Sequence, residues 1–239
     1  MSYTAGRATR VATTTNETAN LIKAYVPNST PVVIPLPFRY DRFFYDVKLR
    51  DEARAQFGVD GGHLTVFIGR PSPQKRLERI ISAWECAASS NPHMYLVLGG
   101  LGQDHYSESI RSTVEASPYA SRIRLSSFVG FESVNALLNA ADVTLWPQVS
   151  VGIQQAMATG ALVLLPHDSP GAPLLWESPE VMGHTYVNGA DSNAPESLAR
   201  QLQAPMDTGH QARRRRAATG RSLYSDEVIV DRLLGGLID

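Results

Sequence analysis

Apolar and polar positions along the chain follow two alternating periods. Short apolar or β-branched runs occur at Val32–Leu36, Leu64–Ile68, Met94–Leu98, Arg122–Ser126, Val143–Trp146, Ala161–Leu165 and His184–Val187, with stretches of helical spacing between them. Such alternation predicts an α/β domain on a parallel sheet. Leu64–Ile68, Tyr95–Leu98 and Leu162–Leu165 are almost uninterrupted apolar runs, as strands covered on both faces require. Between Arg76 and Ser89, Leu77, Ile80, Ile81, Trp84 and Ala88 recur at helical spacing while Glu78, Arg79 and Glu85 face elsewhere, which predicts a helix packed on the sheet. Further helices are expected at Ser133–Ala141, Glu196–Leu202 and Asp226–Leu234. The fold expected is therefore α/β, a Rossmann-like doubly wound parallel sheet.

The first thirty residues read differently. Asn16–Tyr25 is a plausible helix through Leu21, Ile22 and Tyr25, and Val26-Pro27-Asn28 ends it. Pro31, Pro35 and Pro37 stiffen the next segment. The expected organisation is a remnant or linker over residues 1–30 and one complete doubly wound domain over 31–239.

Composition narrows the function classes. The chain has 239 residues, 43% of them hydrophobic, enough for one core-forming domain. Lys+Arg 22 against Asp+Glu 23 leaves a formal charge of −1, so no global field recruits nucleic acid. Arg213–Arg216 is a local basic run, and such runs usually form a solvated helix face. Cys86 is the one cysteine, which excludes a disulfide framework and a thiolate metal cage. No apolar run approaches the roughly 18 residues of a spanning helix, and Met1–Thr15 lacks the apolar core of a signal peptide. The expectation is a cytoplasmic, soluble protein.

Candidate chemistry sits where strands end. Gly69-Arg70 follows the run Leu64–Ile68, and Pro71-Ser72-Pro73-Gln74-Lys75 leads into the helix from Arg76. Ligands of open α/β sheets bind at the carboxyl ends of strands, and a helix N-terminus favours an anion. With a guanidinium and an ammonium within six residues, this turn is a candidate phosphate cradle; an ordinary surface loop with two cations is the alternative. Lys75 is one of three lysines against nineteen arginines. Gly99-Gly100-Leu101-Gly102 invites a dinucleotide reading, but the third glycine of that fingerprint is missing and no acidic residue closes the next strand. A tight glycine turn that admits a ligand or a backbone fits better. The six histidines have no metal-like spacing, and no hydrolytic triad assembles. Asp142, just before a strand, is expected to cap or close a turn.

Four segments in order carry a resemblance: Gly69-Arg70-x4-Lys75-Arg76, Leu96-Val97-Leu98-Gly99-Gly100-Leu101-Gly102, Leu138-Asn139-Ala140-Ala141-Asp142-Val143, and Gln155-Ala156-Met157-Ala158-x-Gly160. Over about Val32 to Gly189 the chain resembles the C-terminal half of a glycosyltransferase family 4 (group 1) enzyme of GT-B architecture. The resemblance implies a domain that binds a nucleotide-diphosphate sugar and works without a metal or other cofactor. Its partner would be an acceptor domain, and the reaction would retain anomeric configuration. Arg70 and Lys75 would neutralise the diphosphate as the catalytic cations. Gly69, Gly100, Gly102, Ser127, Phe128, Gly152, Gln155 and Glu177 would contact the donor, with Ser127 and Phe128 beside the base.

The departures are as informative. The family usually carries Glu, seven residues, Glu, with the second glutamate before Ala-Met and on the donor ribose. This chain has Gln155 there and Pro147 at the first position, and Trp146–Gly160 contains no Asp or Glu. Gln155 can still accept a hydroxyl hydrogen bond through its amide oxygen, a weaker contact than a charged one. The family's acceptor domain is missing, and residues 1–30 resemble only its last strand and helix. Donor turnover by this chain alone is expected to be negligible, with a partner chain or an absent domain supplying the other half, and Arg213–Arg216 is a candidate for peripheral contact with anionic lipid.

Overall fold

The computed structural model describes residues 11–14, 16–59, 61–127, 130–165, 185–186, 195–204 and 206–234. Two sheets are present among them. In the smaller, β1 (Ala12–Thr13) pairs in parallel with β2 (Val32–Val33), and α1 (Asn16–Tyr25) connects the two. The run expected as the domain's first strand, Val32–Leu36, thus contributes only two strand residues and pairs outside the main sheet. Leu21 and Tyr25, on the expected apolar face of α1, are exposed.

The main sheet is built from β3 (His63–Ile68), β4 (Met94–Leu101), β5 (Ile123–Ser127), β6 (Val143–Leu145), β7 (Leu162–Leu164) and β8 (Thr185–Tyr186). Its order is β5-β4-β3-β6-β7-β8, with every pair parallel. Counted within this sheet, the strands run 3-2-1-4-5-6, the order of a Rossmann fold. The chain winds outward from β3 to one edge, returns, and winds outward again from β6. The order reverses between β3 and β6, so the crossover helices diverge there and leave an opening.

Strand residues alternate between two cores, as a period of two demands. Leu64, Val66 and Ile68 face one cluster with α2 (Val47–Gln56), α5 (Phe131–Ala140) and α6 (Val151–Ala158). Phe67, Leu96 and Leu98 face the other with α3 (Leu77–Ala88), α4 (His105–Glu115) and α7 (Pro195–Gln203). The apolar stripe of α3 is buried through Leu77, Ile80, Ile81 and Trp84. Asp46 starts α2 by accepting from Leu49 N (2.9 Å), and Asp104 starts α4 by accepting from Ser107 N (2.9 Å). The chain ends in α8 (His210–Tyr224) and α9 (Asp226–Leu234).

The basic run lies in α8, and it is not a solvated face. Arg213 is 0% exposed and Arg216 is 6% exposed; only Arg214 and Arg215 point to solvent. Arg216 donates to Gly160 O and Asp207 O (both 2.8 Å), and Arg213 is drawn in by the C-terminal end of α5, whose last carbonyls have no partners within the helix and carry partial negative charge. Arg213 donates to Ala141 O, Asn139 O (2.9 Å) and Thr159 O (3.1 Å). From α2, Arg50 donates to Asn139 O and Ala140 O (both 2.8 Å), and Arg54 to Ala140 O (3.0 Å). Asp142 is the carboxylate in this cluster. It pairs with Arg50 and Arg54 and accepts from Leu64 N (2.8 Å), closing the turn into β6 as expected. Burial alone would raise its pKa, but the two guanidiniums hold it below the ordinary carboxylate value.

His63 lies beside this cluster with its Nδ1 buried and without a hydrogen-bond partner among the described residues. Burial lowers its pKa below the usual 6.5, with Asp142 opposing the shift and Arg54 and Arg50 adding to it. The unfolded chain therefore binds more protons than the folded one once pH falls below about 6.5, so stability should decline there by up to about 1.4 kcal/mol per pH unit until the folded value is reached. Asp142 acts further down, its contribution being lost as pH falls below the unfolded value near 3.8. Urea melts from pH 8 to pH 5 should show the first decline in the wild type and a flatter profile in His63→Gln. Identical profiles would contradict the assignment.

Candidate functional site

The opening at the switch point is a crevice of about 360 Å³. Phe67, Ile68 and Gly69 from the end of β3 and Gly100 from β4 line one side, and Trp146 and Pro147 after β6 line another. Gly130 and Phe131 at the start of α5, with Ser150, Val151 and Gly152 at the start of α6, complete the wall. Lys75 brings the positive charge to it. Ligand pockets of about this size are common at switch points of open α/β sheets.

The glycines explain how the strand ends come together. Gly69 N donates to Gly99 O (3.0 Å). Gly100 has φ +100°, and a Cβ there would lie 2.6 Å from Gly69 O. The β4–β5 register shifts between Gly99 and Leu101, a bulge that turns the strand end. Gly99-Gly100 is thus a close backbone approach within β4 rather than a turn beyond it. Gly100→Ala combines a left-handed φ with a backbone clash and should cost about 2 kcal/mol or more. Denaturation midpoints check this, and an unshifted midpoint would contradict it.

The turn after β3 places Lys75. Pro73–Lys75 forms one 3-10 turn, Lys75 N donates to Ser72 O (2.9 Å), and Arg76 adopts φ 47° before α3 begins. The Lys75 ammonium donates to Arg70 O and sits 5.9 Å from the Phe67 ring centroid. Burial, then the charge of Arg70, lowers its pKa from the ordinary lysine value. Two like charges thus stand near each other beside an open crevice. A polyanion entering it would relieve that repulsion.

Of the ten residues singled out from sequence, Gly69, Lys75, Gly100, Gly152 and Gln155 line the crevice. Arg70 is exposed and not among the lining residues; its carbonyl, rather than its guanidinium, is what the structure fixes against Lys75. Gly102 lies outside the crevice in the loop before α4, where its N–H donates to Ser107 Oγ (3.1 Å) and its carbonyl accepts from Arg111 (2.7 Å). Ser127, exposed at the end of β5, is also not among the lining residues. Phe128 and Glu177 lie outside the described residues.

The helix terminus also differs from expectation. At the start of α3, Leu77 N donates to Tyr106 Oη (2.8 Å), and Tyr106 Oη donates to Glu78 (2.7 Å), so that amide already has a partner. The start of α6 does face the crevice. Ser150 makes no side-chain cap there; Ile153 N donates to Ser150 O (3.0 Å), and the amides of Val151 and Gly152 ahead of it are among those an α-helix leaves without internal partners. A Cβ on Gly152 would lie 2.3 Å from the Trp146 ring, so glycine is what lets α6 seat on that ring. Trp146 is itself held by its Nε1–H bond to Thr144 Oγ1 (2.8 Å). No Asp or Glu lines the crevice among the described residues, which agrees with Gln155 and Pro147 standing where carboxylates were expected. Sequence reasoning missed Phe131, Trp146 and Ser150, which stand on three separate segments and share no local signal.

No protein-family model and no curated protein matches the sequence. Solved structures do. The chain is similar to sucrose-phosphate synthase from Thermosynechococcus elongatus, at 18% identity and a TM-score of 0.75, covering 99% of this chain and 59% of that one. It is similar to Anabaena Alr3699/HepE in complex with UDP-glucose, at 18% identity and a TM-score of 0.74, covering 98% and 65%. It is also similar to the C-terminal domain of a glycosyl transferase group 1 family protein (LpcC) from Francisella tularensis, at 15% identity and a TM-score of 0.61, covering 78% and 95%. The chain spans less than two thirds of the length of the first two. At these identities the likeness shows the fold: a Rossmann-like α/β domain of the kind found in GT-B glycosyltransferases.

Proposed function

We propose that this chain is the donor-binding half of a retaining, family 4 type glycosyltransferase, moving a hexosyl group from a nucleotide-diphosphate sugar to a glycan or lipid-linked acceptor, as in polysaccharide biosynthesis. One observation carries the reading: Lys75, Gly69 and Gly100 meet at the switch-point crevice beside the uncapped start of α6. Ammonium and free amides are groups that hold a diphosphate. As the glycosyl bond breaks, negative charge grows on the leaving diphosphate, so a preorganised cation stabilises the transition state more than the ground state. Arg70, whose charge acts on Lys75, would add long-range positive potential. Gln155 accepts a ribose hydroxyl. The similarity to Alr3699/HepE, solved with UDP-glucose, supports a nucleotide-sugar ligand.

The acceptor site would lie on a separate domain or partner chain. No described helix is long and apolar enough to cross a membrane. A second reading, a noncatalytic nucleotide-sugar-binding module, is favoured by the absence of Asp and Glu from the crevice wall among the described residues. The two separate on whether a protein carrying both halves releases nucleoside diphosphate from the sugar donor. Ligand binding to the native state raises stability by RT ln(1+[L]/Kd). Thermal melts with UDP-, GDP- and ADP-sugars should show a rise for at least one of them. A shift with NAD alone would overturn both readings.

A further inference from the structure

Trp146 borders the crevice, and what fixes its ring lies two residues back along β6. Thr144 is fully buried there. Its hydroxyl donates to Leu162 O (3.0 Å) and accepts from Trp146 Nε1–H (2.8 Å). With its donor and an acceptor site both engaged, the hydroxyl has one orientation, and so has the indole it holds. Burial alone does not call for such a bond, since Nε1–H of the core residue Trp84 has no partner among the described residues. Nor does the strand call for a threonine, because valine has nearly the same shape and no polar atom to bury. What the pair fixes is visible at the far edge of the indole. Its six-membered ring lies against Gly152 and leaves no room for a Cβ, so the ring sets where the first turn of α6 sits. That turn faces the crevice that Lys75 also lines.

Building on the donor-site reading above, we infer that Thr144 is a positioning residue: its hydroxyl, through the indole of Trp146, holds the first turn of α6 where its amides and Lys75 engage one diphosphate together. Groups that share a ligand must be held to about 0.5 Å, by side chains whose own rotamers are locked. Thr144 is not among the residues lining the crevice, so it acts on the ligand only through Trp146. The diphosphate, rather than the nucleoside, feels the effect.

The test is calorimetric titration of the 239-residue chain with UDP, GDP, ADP and inorganic pyrophosphate. The variants are Thr144→Val, Thr144→Ser, Trp146→Phe, the Thr144→Val/Trp146→Phe double variant, Lys75→Ala and Asp142→Ala. Thr144→Val should weaken pyrophosphate and the best-bound nucleoside diphosphate by the same factor, roughly 3- to 10-fold, the worth of one hydrogen bond. Thr144→Ser keeps the hydroxyl and should retain affinity. Trp146→Phe has no indole N–H to hold, so it should show a loss by itself and none further when Thr144→Val is added. If Thr144→Val does not fold, Trp146→Phe carries the test, because it leaves the Thr144–Leu162 bond in place. Asp142→Ala separates positioning from stability: it should lower stability and leave affinity unchanged. Unchanged affinity in Thr144→Val or Trp146→Phe, while Lys75→Ala weakens both ligands, would overturn the inference and leave the donor-site reading standing. So would a loss of the same size in Thr144→Ser or Asp142→Ala, or a further loss in the double variant. A wild-type chain that binds none of the ligands overturns both.

Discussion

Lys75→Ala is expected to weaken nucleoside-diphosphate binding by about 2 kcal/mol, roughly 30-fold, because hydrogen bonds to charged groups contribute about 1.5–3 kcal/mol each. In free protein the ammonium is half-buried, bonded to the Arg70 carbonyl, and repelled by the Arg70 charge. A diphosphate supplies the counter-charge that no described lining residue provides. The side chain stands over the Phe67 ring on an ordered turn, so little rotamer freedom remains to be lost on binding. In a protein with both halves the same change should lower kcat/KM by about 2–4 kcal/mol in activation free energy, since the transition state carries more charge on the leaving group than the substrate does. An affinity unchanged within twofold would remove Lys75 from the site.

Asp142→Ala should act on stability instead. It leaves Arg50 and Arg54 without their carboxylate, in side chains that are nearly buried, and takes the acceptor from Leu64 N. Breaking a buried ion pair from one side costs about 3–5 kcal/mol, a large part of the roughly 5–15 kcal/mol that holds a domain together. The α5 carbonyls still receive Arg50, Arg54 and Arg213, so the fold should survive in mild conditions. Asp142 lies before β6, at the amino ends of the strands, whereas the crevice lies at their carboxyl ends. The folded fraction should therefore bind nucleotide with wild-type affinity. Urea unfolding measures the cost; a loss under about 1 kcal/mol would show that the arginines are satisfied by the carbonyls alone.

The range of each interaction decides how legible it was in the residues alone. The β3, β4 and β7 runs were legible because both faces of each strand are covered, which makes the run continuous. The helix α3 was legible through its buried stripe. In α2, by contrast, the buried positions are Arg50 and Ala53, so no apolar period marks it, and α6 is short and carries Gly152. Arg213 turns inward because its acceptors belong to α5 and the turns after α5 and α6, more than fifty residues away in sequence, and Arg216 is shared between Gly160 O, equally distant, and the nearby Asp207 O. No local pattern encodes that. In the site, Gly69 and Lys75 share one strand-turn-helix unit and could be recognised together. Gly100 could be recognised as a close approach, though its partner, Gly69, could not. Phe131, Trp146 and Ser150 reach the crevice only because the strand order reverses between β3 and β6.

On the proposed reading, Lys75 and the paired glycines hold a diphosphate in the switch-point crevice. A crystal structure of the chain with bound UDP tests it most directly. The expected result is a phosphate oxygen about 3 Å from Lys75 Nζ, above the Gly69–Gly100 contact and within reach of the first amides of α6. UDP seated elsewhere, or in the crevice with its phosphates turned away from Lys75 toward solvent, would contradict it.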